Sequence, residues 1–163
     1  MKLQKAINII KKSAVITLFQ DENGTRLLSN GNVVYDVSRW PYIESIDELA
    51  AILNIADMDK YSFAIKPIPD ICRPASNGIP VDKKYITIEY GGTEYTFFST
   101  SSKIIVVKSK YLLPFDEEIR FEYANNEHGE IIVAGGFIKE GYILPIKVDD
   151  GFRTAIEEIY RGI

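Results

Sequence analysis

The chain of 163 residues contains one cysteine and one histidine. A lone Cys72 excludes an intrachain disulfide, and with His128 as the only imidazole no Cys/His zinc set can be assembled. No apolar run approaches the roughly 20 residues that a membrane helix requires. Met1 to Phe19 is interrupted by Lys2, Lys5, Lys11 and Lys12 and lacks the apolar core and small-residue cleavage site of a secretory leader. These absences predict a soluble, cytoplasmic protein with no membrane partner and no metal. Phosphate-loop and dinucleotide fingerprints are also missing. The glycine pairs Gly91-Gly92 and Gly135-Gly136 both fall in β-rich sequence, not at a strand-to-helix turn, so neither suits a nucleotide phosphate. No cofactor is expected.

With 46% apolar and 26% charged residues, disordered and collagen-like chains are excluded. The net charge of −4 disfavours coating of nucleic acid by the whole surface, because phosphate contacts need Lys and Arg. Charge is spread unevenly. Residues 1–40 carry six basic and three acidic side chains, residues 41–70 two and six, and residues 115–163 five and eleven. A local basic face on residues 1–40 is therefore compatible with an acidic protein.

Leu3, Ala6, Ile7 and Ile10 follow helical spacing, with Lys5, Asn8 and Lys12 on the opposite face. Asn23-Gly24 and Asn30-Gly31 are tight-turn signals that divide Ala14 to Val37 into a three-strand meander. Ser45 and Glu48 form a capping box for a second helix with Ile46, Leu49, Ala50 and Leu53 inward. Tyr61 to Lys66 reads as a strand. Residues 67–83, with Pro67, Pro69, Pro74, Pro80 and Asn77-Gly78, read as a junction between halves 1–66 and 84–163.

Beyond the junction, Tyr85–Tyr90 and Thr93–Phe98 form a hairpin around Gly91-Gly92. Ile104–Val107 follows, then a hairpin of Ile119–Tyr123 and Glu130–Ala134 whose tip holds His128. Tyr142–Val148 is the last strand, placed at an edge or bulge by Pro145. A final helix is capped by Asp149 or Asp150, turns Phe152, Ile156 and Ile159 inward and stops at Gly162. The expected fold is one α+β domain, 1–163, of largely antiparallel meanders with three helices on one side. The order allows two pseudo-repeated halves.

No catalytic constellation emerges. Ser99 to Lys103 has a nucleophile type and a base type but reads as a solvated turn. Asp57-Met58-Asp59, Asp116-Glu117-Glu118 and Asp149-Asp150 read as turn and helix starts, and the first lacks the glycine and distal glutamate of a calcium loop. The alternating aromatics Tyr95/Phe97 and Phe121/Tyr123 suit base stacking in principle. Interleaved Glu94 and Glu122 favour core filling instead. In the proline-rich junction, Ile71, Cys72 and Arg73 are the candidate partner-binding residues. A cation beside the thiol would lower its pKa, and the alternative is a half-buried, inert thiol.

Two resemblances add to this reading. The opening Met1-Lys2-Leu3-Gln4-Lys5-Ala6-Ile7, the stretch Leu27-Leu28-Ser29-Asn30-Gly31 and the run from Ala134-Gly135-Gly136-Phe137 to Ile143-Leu144-Pro145-Ile146 resemble small prophage proteins of Gram-positive bacteria, often encoded among replication genes. Lys110 to Val148, with Tyr111-Leu112-Leu113 and Leu144-Pro145-Ile146, is similar in pattern to the end of the last domain of a bacterial DNA sliding clamp. That resemblance implies a repeated helix-plus-meander fold and a basic helix face toward DNA, for which Lys5 and Lys12 are the matching residues. The expected function is a non-enzymatic binding or assembly protein, a DNA-replication accessory in the clamp-like version. Two alternatives stand beside it: a small acidic inhibitor or immunity-type protein for a basic partner, and a metal-dependent hydrolase or nuclease built from scattered carboxylates.

Overall fold

A computed structural model describes residues 1–73 and 78–161. Pro74, Asn77 and the helix stop expected at Gly162 lie outside the described residues. Helix α1 (Leu3–Lys11) buries Ala6, Ile7 and Ile10, as the periodicity requires. Strands β1 (Val15–Gln20), β2 (Arg26–Ser29) and β3 (Val33–Asp36) form the expected antiparallel meander. Its turns are held by side chains that accept backbone N–H groups. Asp21 Oδ1 takes those of Asn23 and Thr25, and Asn30 Oδ1 takes those of Asn32 and Val33. Gly31 sits at φ +92°, where a Cβ would be strained.

Helix α2 (Ile46–Ile52) starts at Ser45, whose Oγ accepts the N–H of Glu48 at 3.2 Å. The Glu48 carboxylate reaches back to the N–H of Glu44 at 2.9 Å, one residue before the usual capping-box partner. The connection through α2 brings β4 (Ser62–Lys66) beside β1 in parallel, the one parallel pair among the described strands. Parallel neighbours need such a crossover, whereas tight hairpins can give only antiparallel ones.

The second half supplies β5 (Ile79–Tyr90), β6 (Thr93–Ser99), β7 (Ile104–Lys108), β8 (Phe121–Asn126), β9 (Gly129–Ala134) and β10 (Gly141–Ile143). The ten described strands make one sheet in the order β4-β1-β2-β3-β10-β9-β8-β5-β6-β7. Strand β5 pairs with β8 over Ile79–Val81 and with β6 from Asp82 onward, and its register shifts between Lys83 and Thr87. The halves meet where β10 inserts between β3 and β9. The second half does not repeat the helix-meander-helix-strand order of the first.

The expected strand Tyr142–Val148 is cut to three residues. Pro145 has no N–H for a ladder, and the chain there leaves β10. Leu144 N–H donates to Asn32 and Ile146 N–H to Val106 on the outer edge of β7. Three residues span at most about 11 Å. The sheet therefore curls until β7 returns close to the end of β10.

The curled sheet encloses the main core, which draws Ile10, Leu18 and Tyr35 from one half and Phe98, Phe121 and Ile132 from the other. Helices α1 and α2 contribute to this core. Helix α3 (Asp150–Arg161) does not. Its Ile156 packs with Phe97 and Val106, whereas Phe98, Ile105 and Val107 face the main core. Adjacent strand residues point to opposite faces, so α3 covers the other face of β6 and β7, and the three helices do not share one side. Asp149 caps it, its Oδ1 accepting the Phe152 N–H at 2.7 Å.

Candidate functional site

Strands β9 and β10 are joined by residues 135–140, and the backbone fixes the shape of this loop. Gly135 lies at φ +114°, and a Cβ there would sit 2.3 Å from the carbonyl oxygen of Ile138. Gly135 N–H donates to Arg120, and Glu140 N–H closes the loop onto Ala134, both at 2.8 Å. With the base drawn this tight, the two apolar side chains at the tip point outward. Phe137 is fully exposed and Ile138 is 73% exposed. Side chains of this size are normally covered, and contiguous exposed ones mark interaction sites.

Acidic groups border the loop. A cleft of about 360 Å³ beside Ile138 is lined by Asp116, Glu118 and Glu140, with Arg120 as its one cationic side chain. The α-amino group of Met1 approaches the same carboxylates, 3.6 Å from Asp116 and 3.4 Å from Glu140. Chemically this arrangement offers an apolar knob with a negative border.

Of the residues singled out from sequence, Cys72 and Arg73 line a neighbouring pocket that Ile138 also borders, and Lys5 and Lys12 lie elsewhere. Lys5 and Lys12 are both exposed, and seven residues apart they share the outward face of α1. Ile71, Cys72 and Arg73 belong to the short 3-10 turn Asp70–Cys72 and the residue after it. Arg73 is exposed and pairs with Asp70 at 3.3 Å. Ile71 is half-buried.

Cys72 is 3% exposed and packs with Ile68, Ala124 and Tyr142 on the face opposite α1. Burial pushes its thiol up to about 12, opposite to the activation that a neighbouring cation would give. The arginine that follows points to solvent and is occupied by Asp70, so it does not stabilise a thiolate.

Lys103, considered as a base for Ser99 to Ser102, is tied to the Glu130 carboxylate. The Tyr123 hydroxyl donates to the same carboxylate at 2.9 Å. Desolvation lowers the Lys103 pKa, but the bonds to Glu130 and Tyr123 outweigh it and hold the ammonium above its ordinary value. The Glu130 partner and the raised pKa both disfavour Lys103 as a base for a neighbouring serine. Among the described residues no group of three or more His, Cys, Asp or Glu is arranged to hold a metal ion. No described helix is long and apolar enough to cross a membrane.

Sequence reasoning missed the exposed tip because Phe137 and Ile138 have the composition of core residues. The available signal was Gly135-Gly136 directly before them, at the end of a β-rich segment. Comparison with protein-family models, with curated proteins and with solved structures gives no match.

Proposed function

We propose that this protein is a non-catalytic binding or assembly protein that docks a basic protein partner through the Phe137–Ile138 loop. The observation that carries the reading is the full exposure of Phe137 on a backbone-fixed loop bordered by carboxylates. Covering a phenylalanine side chain is worth about 1.5–3 kcal/mol. An acidic border selects a basic partner and repels acidic ones. This combines the binding-protein expectation with the acidic-inhibitor alternative. A photo-crosslinking amino acid at position 137 tests it in cells. The expected adduct is a basic protein whose purified form binds more weakly at high salt and loses affinity on Phe137→Ala. An acidic adduct, or unchanged affinity of the variant, refutes it.

A second reading, a DNA-replication accessory, is favoured by Lys5 and Lys12 sharing an exposed helix face. Glu44, Asp47 and Glu48, all exposed around the start of α2, oppose a DNA-lined surface there. Duplex binding at low salt that Lys5→Ala/Lys12→Ala abolishes would support it. A protein sized as a monomer by light scattering, with no such binding, would remove it.

A further inference from the structure

A pocket of about 320 Å³ opens on the face of β2, β3 and β10 opposite α1, with Leu27, Ile68 and Ile138 as its apolar lining. That volume is at the small end of ligand sites. Strand register explains its polar groups. Leu27 faces Asp36 across the β2–β3 pair, and Tyr142 faces Val34, two residues before Asp36. Asp36 and Tyr142 thus share one face of adjacent strands. The turn after β1 adds Asp21, and the Asp70–Cys72 turn brings Cys72 against Tyr142.

Tyr142 is 6% exposed, and its hydroxyl makes no hydrogen bond among the described residues. The only fully enclosed polar side-chain atom without a partner among the described residues is Nε of Arg26, so the Tyr142 hydroxyl keeps contact with the open pocket. Burial, with Cys72 and Asp36 nearby, pushes this phenol up to about 12, so it is neutral at physiological pH and has lone pairs to offer.

The charges around this hydroxyl are unequal in their occupation. The two cations at the pocket are already neutralised, Lys139 by Glu122 at 2.9 Å and Arg73 by Asp70 at 3.3 Å. The two carboxylates are not. Asp36 Oδ1 accepts the Ser38 N–H at 2.7 Å and Asp21 Oδ1 accepts two turn N–H groups, but neither pairs with a cation among the described residues. The uncompensated charge in the pocket is therefore negative.

We propose that this pocket holds an ammonium or guanidinium head, with Asp36 and Asp21 as counter-charges and the Tyr142 hydroxyl as an acceptor. Leu27, Ile68 and Ile138 take the methylene stem. Resting on the docking reading above, the physiological occupant is a lysine or arginine side chain of the basic partner. Ile138 borders both the pocket and the docking loop, so one partner reaches both.

Methyl NMR of the full chain, titrated with n-butylguanidinium and n-butylamine, tests the pocket without any partner. The expected result is saturable shifts of the Leu27, Ile68 and Ile138 methyls and none with butyrate. Asp36→Asn keeps an oxygen for the Ser38 N–H but removes the charge, and should weaken binding about tenfold. Tyr142→Phe should weaken it severalfold. Absence of saturation, an equal response to butyrate, or an Asp36→Asn variant that binds like the parent overturns the proposal. Should the cations saturate the pocket while Phe137→Ala leaves partner affinity intact, the docking reading falls and the pocket stands.

Discussion

The hydroxyl of Tyr35 donates a 2.8 Å hydrogen bond to the carbonyl oxygen of Tyr111, 76 residues further along the chain. Tyr35 is fully buried, and its ring packs against Phe115 at 5.7 Å. The bond ties β3 to the 3-10 turn Ser109–Leu112 inside the main core, where an unpaired polar group is costly.

Tyr35→Phe keeps the ring and removes only the donor, leaving the Tyr111 carbonyl without this partner. The expected loss is about 1–3 kcal/mol. It should appear as a lower urea midpoint with an unchanged m-value. A midpoint equal to the parent's would show that this bond adds nothing to stability.

Alkaline conditions should destabilise the fold through three buried groups, Cys72, Tyr142 and Tyr35, the last also pushed well above the ordinary phenol value by burial. Cys72 rises from an ordinary 9.0 to about 12, and Tyr142 from 10.0 to about 12, both mainly by burial. A pKa raised by folding gives a contribution that is complete below the unfolded value and lost as pH climbs to the folded one. Stability should therefore hold below about pH 9 and decline between there and 12. Urea midpoints at pH 8, 9.5 and 11 measure this, and Cys72→Ala/Tyr142→Phe should make the decline shallower. A parent midpoint that rises over that window contradicts the assignment.

The shape of the docking loop depends on Gly135. Gly135→Ala should cost more than about 2 kcal/mol, because it combines a positive φ with a clash against the Ile138 carbonyl. At Gly136 an added Cβ meets nothing within 4 Å, so Gly136→Ala should stay within about 0.5 kcal/mol of the parent. Phe137→Ser should leave thermal stability unchanged, since a fully exposed ring has no packing to lose. A large loss at Phe137 would show that its ring is covered within the chain itself.

Lys103 and Glu130 form a partly exposed pair, 37% and 44% accessible. The hydrogen bond from Lys103 holds the Glu130 carboxyl below its ordinary value, with Tyr123 adding to it. This contribution is present above the unfolded carboxylate pKa and fades as pH falls through the lowered one. Because solvent screens the pair, Glu130→Gln should cost less than about 1 kcal/mol at pH 7, and the difference should vanish in strong acid. Denaturation of both proteins at pH 7 and pH 3 gives the comparison, and a gap that widens in acid would reverse the assignment.

Local rules made much of the fold legible. Asn23-Gly24 and Asn30-Gly31 demand tight turns, and tight turns demand antiparallel neighbours. The Ser45–Glu48 cap and the Leu3, Ala6, Ile7, Ile10 stripe placed α2 and α1. Of the candidate site, the acidic run Asp116-Glu117-Glu118 was legible as charge, but not the placement of Asp116 and Glu118 beside Ile138.

Amino-acid order alone determined the α+β class, the hairpins and the buried face of α1, because these depend on torsions and hydrogen bonds within a few residues, whereas Ile159 of α3, expected inward, is 47% exposed. Only the tertiary structure decided that β4 lies parallel to β1, that β10 slots between β3 and β9, and that α3 takes the opposite face. It alone left Phe137 in solvent, although a side chain of that size is normally covered. Such outcomes depend on which distant surfaces meet, and hydrophobic burial is non-directional: it rewards covering apolar area without specifying the partner.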